Sequence, residues 1–356
     1  MKRIKLSAAM TAILFGLSLN TASAKSWRVN HDTTTGANFA SINDAMSAKD
    51  AQEKYVVNEG DTLYLDPGMI STEAATISRR VTVIGTGYLR ASSPHQFAHV
   101  SHDLTITAEG TKIEGLWCGD IYLLAKNVTI ERCYSTGSIL TNNSNYTGII
   151  IRQCYISGSG QIGSSSSSSS FRMTGAVIEN NIIICGNSYG SLRYMNNCTI
   201  RNNYIRYNGT NSTAYVINGV NNSSQLYNNV LLNNSKPEQV VANFNGNRYN
   251  NIYSQTPTDP ENPVNENNNY FLGSNDASLI FAMSGNNDAR YSELKEGSPA
   301  IGFGVDDADC GPTGGLYPYV VSGLPAYHPY YTNAVFSKTS DGTGINVSLK
   351  IKMQNE

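Results

Sequence analysis

Between residues 113 and 271 one pattern of apolar and polar positions recurs. An apolar, mostly β-branched residue is followed by two variable positions, then Asn or Cys, any residue, and another apolar residue. The copies are Ile113–Cys118 (IEGLWC), Ile130–Ser135 (IERCYS), Ile151–Ile156 (IRQCYI), Ile178–Ile183 (IENNII), Ile200–Ile205 (IRNNYI) and Leu226–Leu231 (LYNNVL). Weaker copies follow at Arg248–Tyr253 (RYNNIY) and Glu266–Phe271 (ENNNYF). The fourth position is Leu116, Cys133, Cys154, Asn181, Asn203, Asn229, Asn251 and Asn269, at spacings of 17, 21, 27, 22, 26, 22 and 18 residues. A period of this size points to a repeat architecture before any other.

Ile, Val and Leu flanked by Gly, Asn and Ser are strand-and-turn chemistry, so each repeat reads as three short strands with their turns. Repeats stacked as coils would lie about 4.8 Å apart. Asparagine at one turn position then becomes a column, each amide donating to one neighbour and accepting from the other. Asparagine also tolerates the left-handed backbone that tight turns need. The longest step, 27 residues, holds the serine run 164–170, which reads as a flexible excursion.

Composition agrees. Of 41 asparagines, 30 lie between residues 121 and 270. The formal charge of −2 gives no basic excess, which argues against a nucleic-acid partner. At the N-terminus Lys2, Arg3 and Lys5 precede an apolar run from Leu6 to Leu19 and an Ala22-Ser23-Ala24 cleavage signal. Residues 1–24 are therefore expected to be a signal peptide, placing the mature chain in the periplasm or outside the cell. No later stretch is apolar for long enough to span a bilayer.

The chain resembles the right-handed parallel β-helix proteins of the pectate-lyase-like superfamily. The Asn column is one point of likeness. The opening is another: Phe39, Ile42, Ala45 and Met46 make one helical face suited to capping a solenoid, and Gly60 to Gly68 (GDTLYLDPG) is similar to a first coil. Gly297 to Gly302 (GSPAIG) resembles the family's exit from the last coil. The stretch from Tyr317 to Pro325 and the alternating Ile345, Val347, Leu349 and Ile351 are similar to C-terminal tails of secreted β-helix proteins. The resemblance implies an all-β, right-handed parallel β-helix over residues 25–304 of about a dozen coils, with an N-terminal cap helix. A small C-terminal β extension would cover residues 305–356. It also implies a monomer that recognises an extracellular or envelope polysaccharide, with lyase cleavage as the enzymatic version. A non-catalytic structural or adhesin-like surface protein is the alternative.

The family's hydrolases need clustered aspartates, and glycoside hydrolysis needs paired carboxyl groups. Residues 121–258 contain no Asp and only Glu131, Glu179 and Glu238, which disfavours a hydrolase or an Asp-based esterase. A lyase needs a base and a partner for the substrate carboxylate. The same span holds Lys126, Arg132, Arg152, Arg172, Arg193, Arg201, Arg206, Lys236 and Arg248, a basic face suited to a uronate polymer. Register places Glu131, Arg152, Glu179 and Arg201 outward on successive coils, which reads first as an ion-pair ladder. Arg193 and Arg206 fall outside it and are the candidate catalytic, substrate-contacting bases. The family's Arg-x-Pro-x-x-Arg arrangement is not present.

The position after the Asn/Cys column also points outward and is rich in aromatics. Trp117, Tyr134, Tyr155 and Tyr204 are the candidate sugar-binding platform, the competing reading being a cross-coil stack that stabilises the sheet. His95, His99 and His102 with Asp103 would form a metal set only on a helix, whereas the following Leu104–Thr107 reads as strand, so an exposed loop is expected. Cys133 and Cys154 read as small apolar members of the ladder column with free thiols. The turn Asp306-Asp307-Ala308-Asp309 lacks calcium-loop spacing. Calcium held weakly there is the one cofactor left open.

Overall fold

A computed structural model describes residues 24–88, 97–142, 144–158, 160–167, 171–186, 190–255, 268–324, 329–338 and 345–353, the last two segments as backbone. The expected signal peptide (residues 1–24), apart from Ala24, and serines 168–170 of the excursion lie outside these residues.

Each repeat supplies three strands in chain order, and each strand pairs in parallel with its counterpart one repeat away. Three ladders result. The first runs through Thr62–Leu65, Thr82–Ile84, Lys112–Glu114, Thr129–Glu131, Ile150–Arg152, Val177–Glu179 and Thr199–Arg201. The second runs from Ile70–Ser71 through Trp117–Cys118, Tyr134–Ser135, Tyr155–Gly158, Ile182–Cys185 and Tyr204–Tyr207 to Tyr270–Phe271, a 10-stranded sheet. The third includes Ile121–Leu123, Ile139–Thr141, Ile162–Ser164 and Leu192–Asn196. Ile217–Tyr227 and Val241–Tyr249 each contribute to both the third and first ladders, merging them into a 17-stranded sheet. The fold is all-β with long parallel sheets. Among the described residues no helix is long and apolar enough to cross a membrane.

The repeat's first apolar position forms the centre of the core: Ile113, Ile130, Ile151, Ile178, Ile200 and Leu226 are each fully buried and aligned in register. At the N-terminal end a short helix, Ile42–Ser47, buries Ile42, Ala45 and Met46, and the Ser41 hydroxyl accepts from Asp44 N. Phe39 packs beside them, 5.6 Å from the Trp27 ring. Arg248 departs from expectation. It takes the place after Leu226 in the inward column, is 7% exposed and lies over the Phe244 ring, so it does not belong to a basic outer face.

The Asn column is built as a two-for-one device. Asn203 Oδ1 accepts from both Asn181 N (3.0 Å) and Asn181 Nδ2 (2.9 Å), and Asn229 Oδ1 does the same for Asn203. Asn251 and Asn269 continue the series. Asn203 Nδ2 also reaches the carbonyls of Arg201 and Ile178, each at 2.8 Å. Cys154 donates its backbone N–H to Asn181 Oδ1, and its thiol meets the equivalent carbonyls of Arg152 (3.2 Å) and Ile130 (3.6 Å). All six cysteines are buried free thiols.

The left-handed turn residue is the one before the column. Arg132, Gln153, Asn180, Asn202, Asn228, Asn250 and Asn268 all have φ between 52° and 55° except Asn228 at 57°. Each Asn-Asn pair thus divides the work: the first bends the backbone, which Asn adopts more easily than most residues, and the second makes the ladder.

Truncating Asn203 to Ala strands buried donors on Asn181. We expect Asn203→Ala to cost roughly 2–4 kcal/mol in denaturant unfolding, and Asn269→Ala, at the end of the column, to cost less than half as much.

Candidate functional site

Three outer surfaces follow from the three ladders, and the sequence assigned candidate residues to each. On the first ladder, Glu131, Arg152, Glu179 and Arg201 stack in register. Arg152 Nη2 lies 3.2 Å from Glu131 Oε2, and Arg201 Nη2 lies 2.6 Å from Glu179 Oε2. Lys112 Nζ bridges Glu114 (2.8 Å) and Glu131 (2.9 Å). Burial pushes the Glu131 carboxyl up, but Lys112 and Arg152 outweigh it and hold it below its ordinary range. These charges are engaged with one another.

On the second ladder the aromatic column exists. His99 stacks on Trp117 with centroids 4.2 Å apart, Trp117 meets Tyr134 at 5.3 Å, and Tyr134 stacks on Tyr155 at 5.1 Å. Much of it, however, lies under a roof. Segment 272–324 folds back over this sheet and forms a second apolar cluster with it, including Tyr155, Ile182, Tyr204, Phe281, Tyr291, Cys310 and Tyr319. Tyr204 is fully buried, with ring centroids 4.8 Å from Phe281 and 4.9 Å from Tyr291. Burial pushes the Tyr155 phenol up to about 12. Tyr155 and Tyr204 are therefore interior side chains, and a sugar cannot reach them in this structure. Trp117 and Tyr134 are half-buried. Burial lowers the His99 pKa, which keeps its imidazole neutral at pH 7. His99 sits half-buried on strand His99–Val100 rather than in the expected exposed loop, His102 is exposed, and His95 lies outside the described residues.

The roof is fastened by the left-handed turn residues, whose side chains reach main-chain groups of an extended strap. Asn250 Nδ2 donates to Phe303 O (2.8 Å) and Asn228 Oδ1 accepts from Val305 N (3.0 Å). Asn202 Nδ2 donates to Asp309 O (3.1 Å), Asn180 Nδ2 to Pro312 O (3.1 Å), and Gln153 Nε2 to Pro318 O (2.6 Å). Arg132 Nη1 reaches Leu324 O at 3.5 Å. The strap runs antiparallel to the order of repeats, and one turn side chain from each repeat reaches it, Asn180 meeting Gly314 O as well as Pro312 O. Its far end is held by a buried cluster. Tyr88 and Tyr319 hydroxyls are 2.6 Å apart, and Asp288 Oδ2 accepts from Tyr319 OH (2.9 Å) and Ser322 N (2.7 Å). Burial raises the Asp288 pKa despite these bonds. Beyond the strap, Pro329–Lys338 and Ile345–Met353 pair as an antiparallel hairpin.

Arg206 belongs to the second ladder, where Ile184 and Leu232 are its register partners. Its Nη2 donates to Asn234 Oδ1 (2.7 Å), and Asn234 in turn donates to Asn208 (2.9 Å). Arg193 belongs to the third ladder, between Gly163 and Asn218. The two candidate bases thus sit on different sheets and do not form one centre.

Arg193 has a different companion. Its guanidinium lies over the Tyr194 ring at 4.5 Å, and that of Arg172 approaches the same ring at 5.8 Å. Arg172 Nη1 donates to Gly219 O (2.9 Å), and its backbone N–H to Asn145 Oδ1 (2.8 Å). Arg193 Nη2 reaches Ser165 O at 3.5 Å. Tyr194 holds φ +54°, a costly conformation for an aromatic residue. It fits because residue 219 alongside is glycine, where a Cβ would stand 2.9 Å from Tyr194 Cδ1. Asn243 Nδ2 donates to Asn218 Oδ1 in an amide rung beside the cluster (2.9 Å), and the Ser165 hydroxyl donates to Asn142 Oδ1 (3.1 Å). Sequence reasoning singled out Arg193, placed Arg172 only within the general basic face and missed Tyr194; topology brings the three together.

Among the described residues no group of three or more His, Cys, Asp or Glu side chains is placed to hold a metal ion. Asp309 Oδ1 of the acidic turn accepts from Gly302 N instead (2.9 Å). Comparison with protein-family models, curated proteins and solved structures finds no match.

Two predictions follow from the strap. Asn180→Ala with Asn202→Ala should speed amide hydrogen exchange in residues 303–320 while leaving strands Thr199–Arg201 and Val177–Glu179 protected. The second concerns pH. Because the folded pKa of Asp288 lies above its unfolded value near 3.9, its contribution favours the fold most below that value and is lost as pH rises through the folded pKa. The stability of the wild type relative to Asp288→Asn should therefore fall as pH rises across that window, as read by urea midpoints.

Proposed function

We propose that the chain is an exported, right-handed parallel β-helix protein of the pectate-lyase-like type that binds an acidic extracellular or envelope polysaccharide without cleaving it. In this reading residues 1–24 are the signal peptide, the mature protein acts in the periplasm or outside the cell, and residues 305–356 form a C-terminal extension whose first part is the strap.

The observation that carries the reading is the half-buried pair Arg172 and Tyr194, backed from the interior by Arg193 (8% exposed), beside an amide rung. A planar aromatic ring flanked by guanidinium groups suits a sugar bearing carboxylate, sulfate or phosphate. The ring gives apolar contact and the guanidinium groups supply charge and directed donors. Other central cations are engaged elsewhere: Arg152 and Arg201 with Glu131 and Glu179, Arg132 with Glu114 and the strap, Arg248 in the interior. Binding is favoured over cleavage for two reasons. Glu131 and Glu179, two of the three acids in the central span, are buried in the ion-pair ladder. Arg193 and Arg206 lie on separate sheets, so neither can neutralise a carboxylate while the other removes the neighbouring proton.

The test is affinity electrophoresis through gels holding acidic or neutral polymers, run beside an ultraviolet assay for unsaturated uronate products. Retardation by an acidic polymer with a flat absorbance trace is expected. Arg172→Gln keeps a donor for Gly219 O but removes the charge, and should weaken retardation about tenfold, most clearly at low salt. Growth of the product band, or retardation that ignores Arg172→Gln, would refute it.

A further inference from the structure

Away from this cluster, the turns that join the third ladder to the first open into a groove of about 490 Å³ across the N-terminal repeats. That size lies within the roughly 300–1,000 Å³ of small-molecule sites. Four successive turns contribute to its wall: Glu59, then Ser78 and Arg80, then Glu109 and Gly110, then Asn127. Backbone bonds hold these turns in line, from Gly60 N to Arg80 O, from Gly110 N to Lys126 O and from Asn127 N to Thr147 O.

The polar groups of the groove do little for the fold. Arg80 Nη2 and Glu59 Oε2 are 3.7 Å apart with both side chains more than half exposed, a geometry that adds little stability. Asn127 Nδ2 donates to Glu109 Oε1 at 2.7 Å, also in the open. What the local sequence does provide is room for the side chains to lie along the file. A Cβ at Gly110 would stand 3.0 Å from Arg80 Cδ, and one at Gly148 would stand 2.1 Å from Asn127 Oδ1. Both glycines have positive φ, so the turn and the clearance are met by the same residue.

We infer that this turn edge is a subsite for a neutral, hydroxyl-rich glycan segment lying parallel to the stack of repeats. Acceptors and donors alternate along it, carboxylate, guanidinium, carboxylate, amide, as vicinal hydroxyl groups require. The repeat spacing of about 4.8 Å is close to the length of one pyranose unit, so each turn meets one ring. One guanidinium between two carboxylates leaves no cationic surplus for an acidic ligand, which sets the groove apart from the Arg172–Tyr194–Arg193 cluster.

Calorimetric titration of the whole mature chain with neutral oligosaccharides of increasing length tests this. Affinity should rise with each added ring until the chain spans the four turns and then level off. Glu109→Gln, and separately Asn127→Gly, which preserves the left-handed turn, should each weaken binding about tenfold. Arg172→Gln should leave it unchanged. The inference fails if no neutral oligosaccharide in the series binds at millimolar concentration, or if binding is indifferent to both groove variants. It fails equally if Arg172→Gln abolishes binding. Absence of acidic-polymer retardation in the unmutated chain, with neutral binding intact, would overturn the preceding reading and leave this one standing.

Discussion

A buried side-chain amide is tolerable only when its oxygen and both hydrogens find partners, and the asparagine column meets that demand in one way. Each Oδ1 takes two N–H groups from the preceding repeat, one from the backbone and one from the side chain. This double acceptance fixes the height and rotation of each repeat relative to the last, because a slip would leave several donors unsatisfied inside the core. Apolar packing alone tolerates shifts between similar side chains. The amides do not, so they set the register that the isoleucine column, the ion pairs and the outer turn residues inherit.

The strap is a consequence of that register. Because the residue before each ladder asparagine is held in the left-handed conformation, its side chain leaves the stack at the same place in every repeat. A row of outward amides at a fixed spacing is suited to reading an extended backbone, and most of the groups it meets are carbonyls. Asn180 and Pro312 are 132 residues apart in the chain, and Arg132 and Leu324 are 192 apart. The strap thus fastens repeats that lie far from it in the chain, and it covers the second ladder.

This explains what could be read in advance. The period, the parallel all-β class and the ion-pair ladder were legible because they depend on residues one repeat apart, such as Glu131 and Arg152. The free thiols of Cys133 and Cys154 were legible for the same reason. The roof was not. Residues 302–324 carry no apolar periodicity, and their partners are outward side chains that look identical in sequence whether solvent or a strap lies over them. Tyr155 and Tyr204 therefore resembled an open platform. Arg248 misled for a related reason: it occupies an inward place at the fraying end of the pattern, where charge is a poor guide to direction. The pairing of Arg172 with Arg193 required knowing that the serine-rich excursion returns to the third ladder.

Stacking also limits where binding chemistry can sit. A side chain in a regular column faces similar positions about 4.8 Å above and below, so repeated carboxylates would repel one another. Alternating Glu with Arg, or using neutral Asn, removes the repulsion but commits those groups to their neighbours. Side chains that differ from their neighbours in the stack then belong where the repeat is broken or turns a corner. The Arg172–Tyr194–Arg193 cluster lies at the longest step in the repeat, the one that carries the serine run. The groove of Glu59, Arg80, Glu109 and Asn127 lies at a turn edge, where successive residues differ in kind and point along the stack. In a protein whose interior demands sameness from repeat to repeat, selectivity for a ligand has to come from these interruptions.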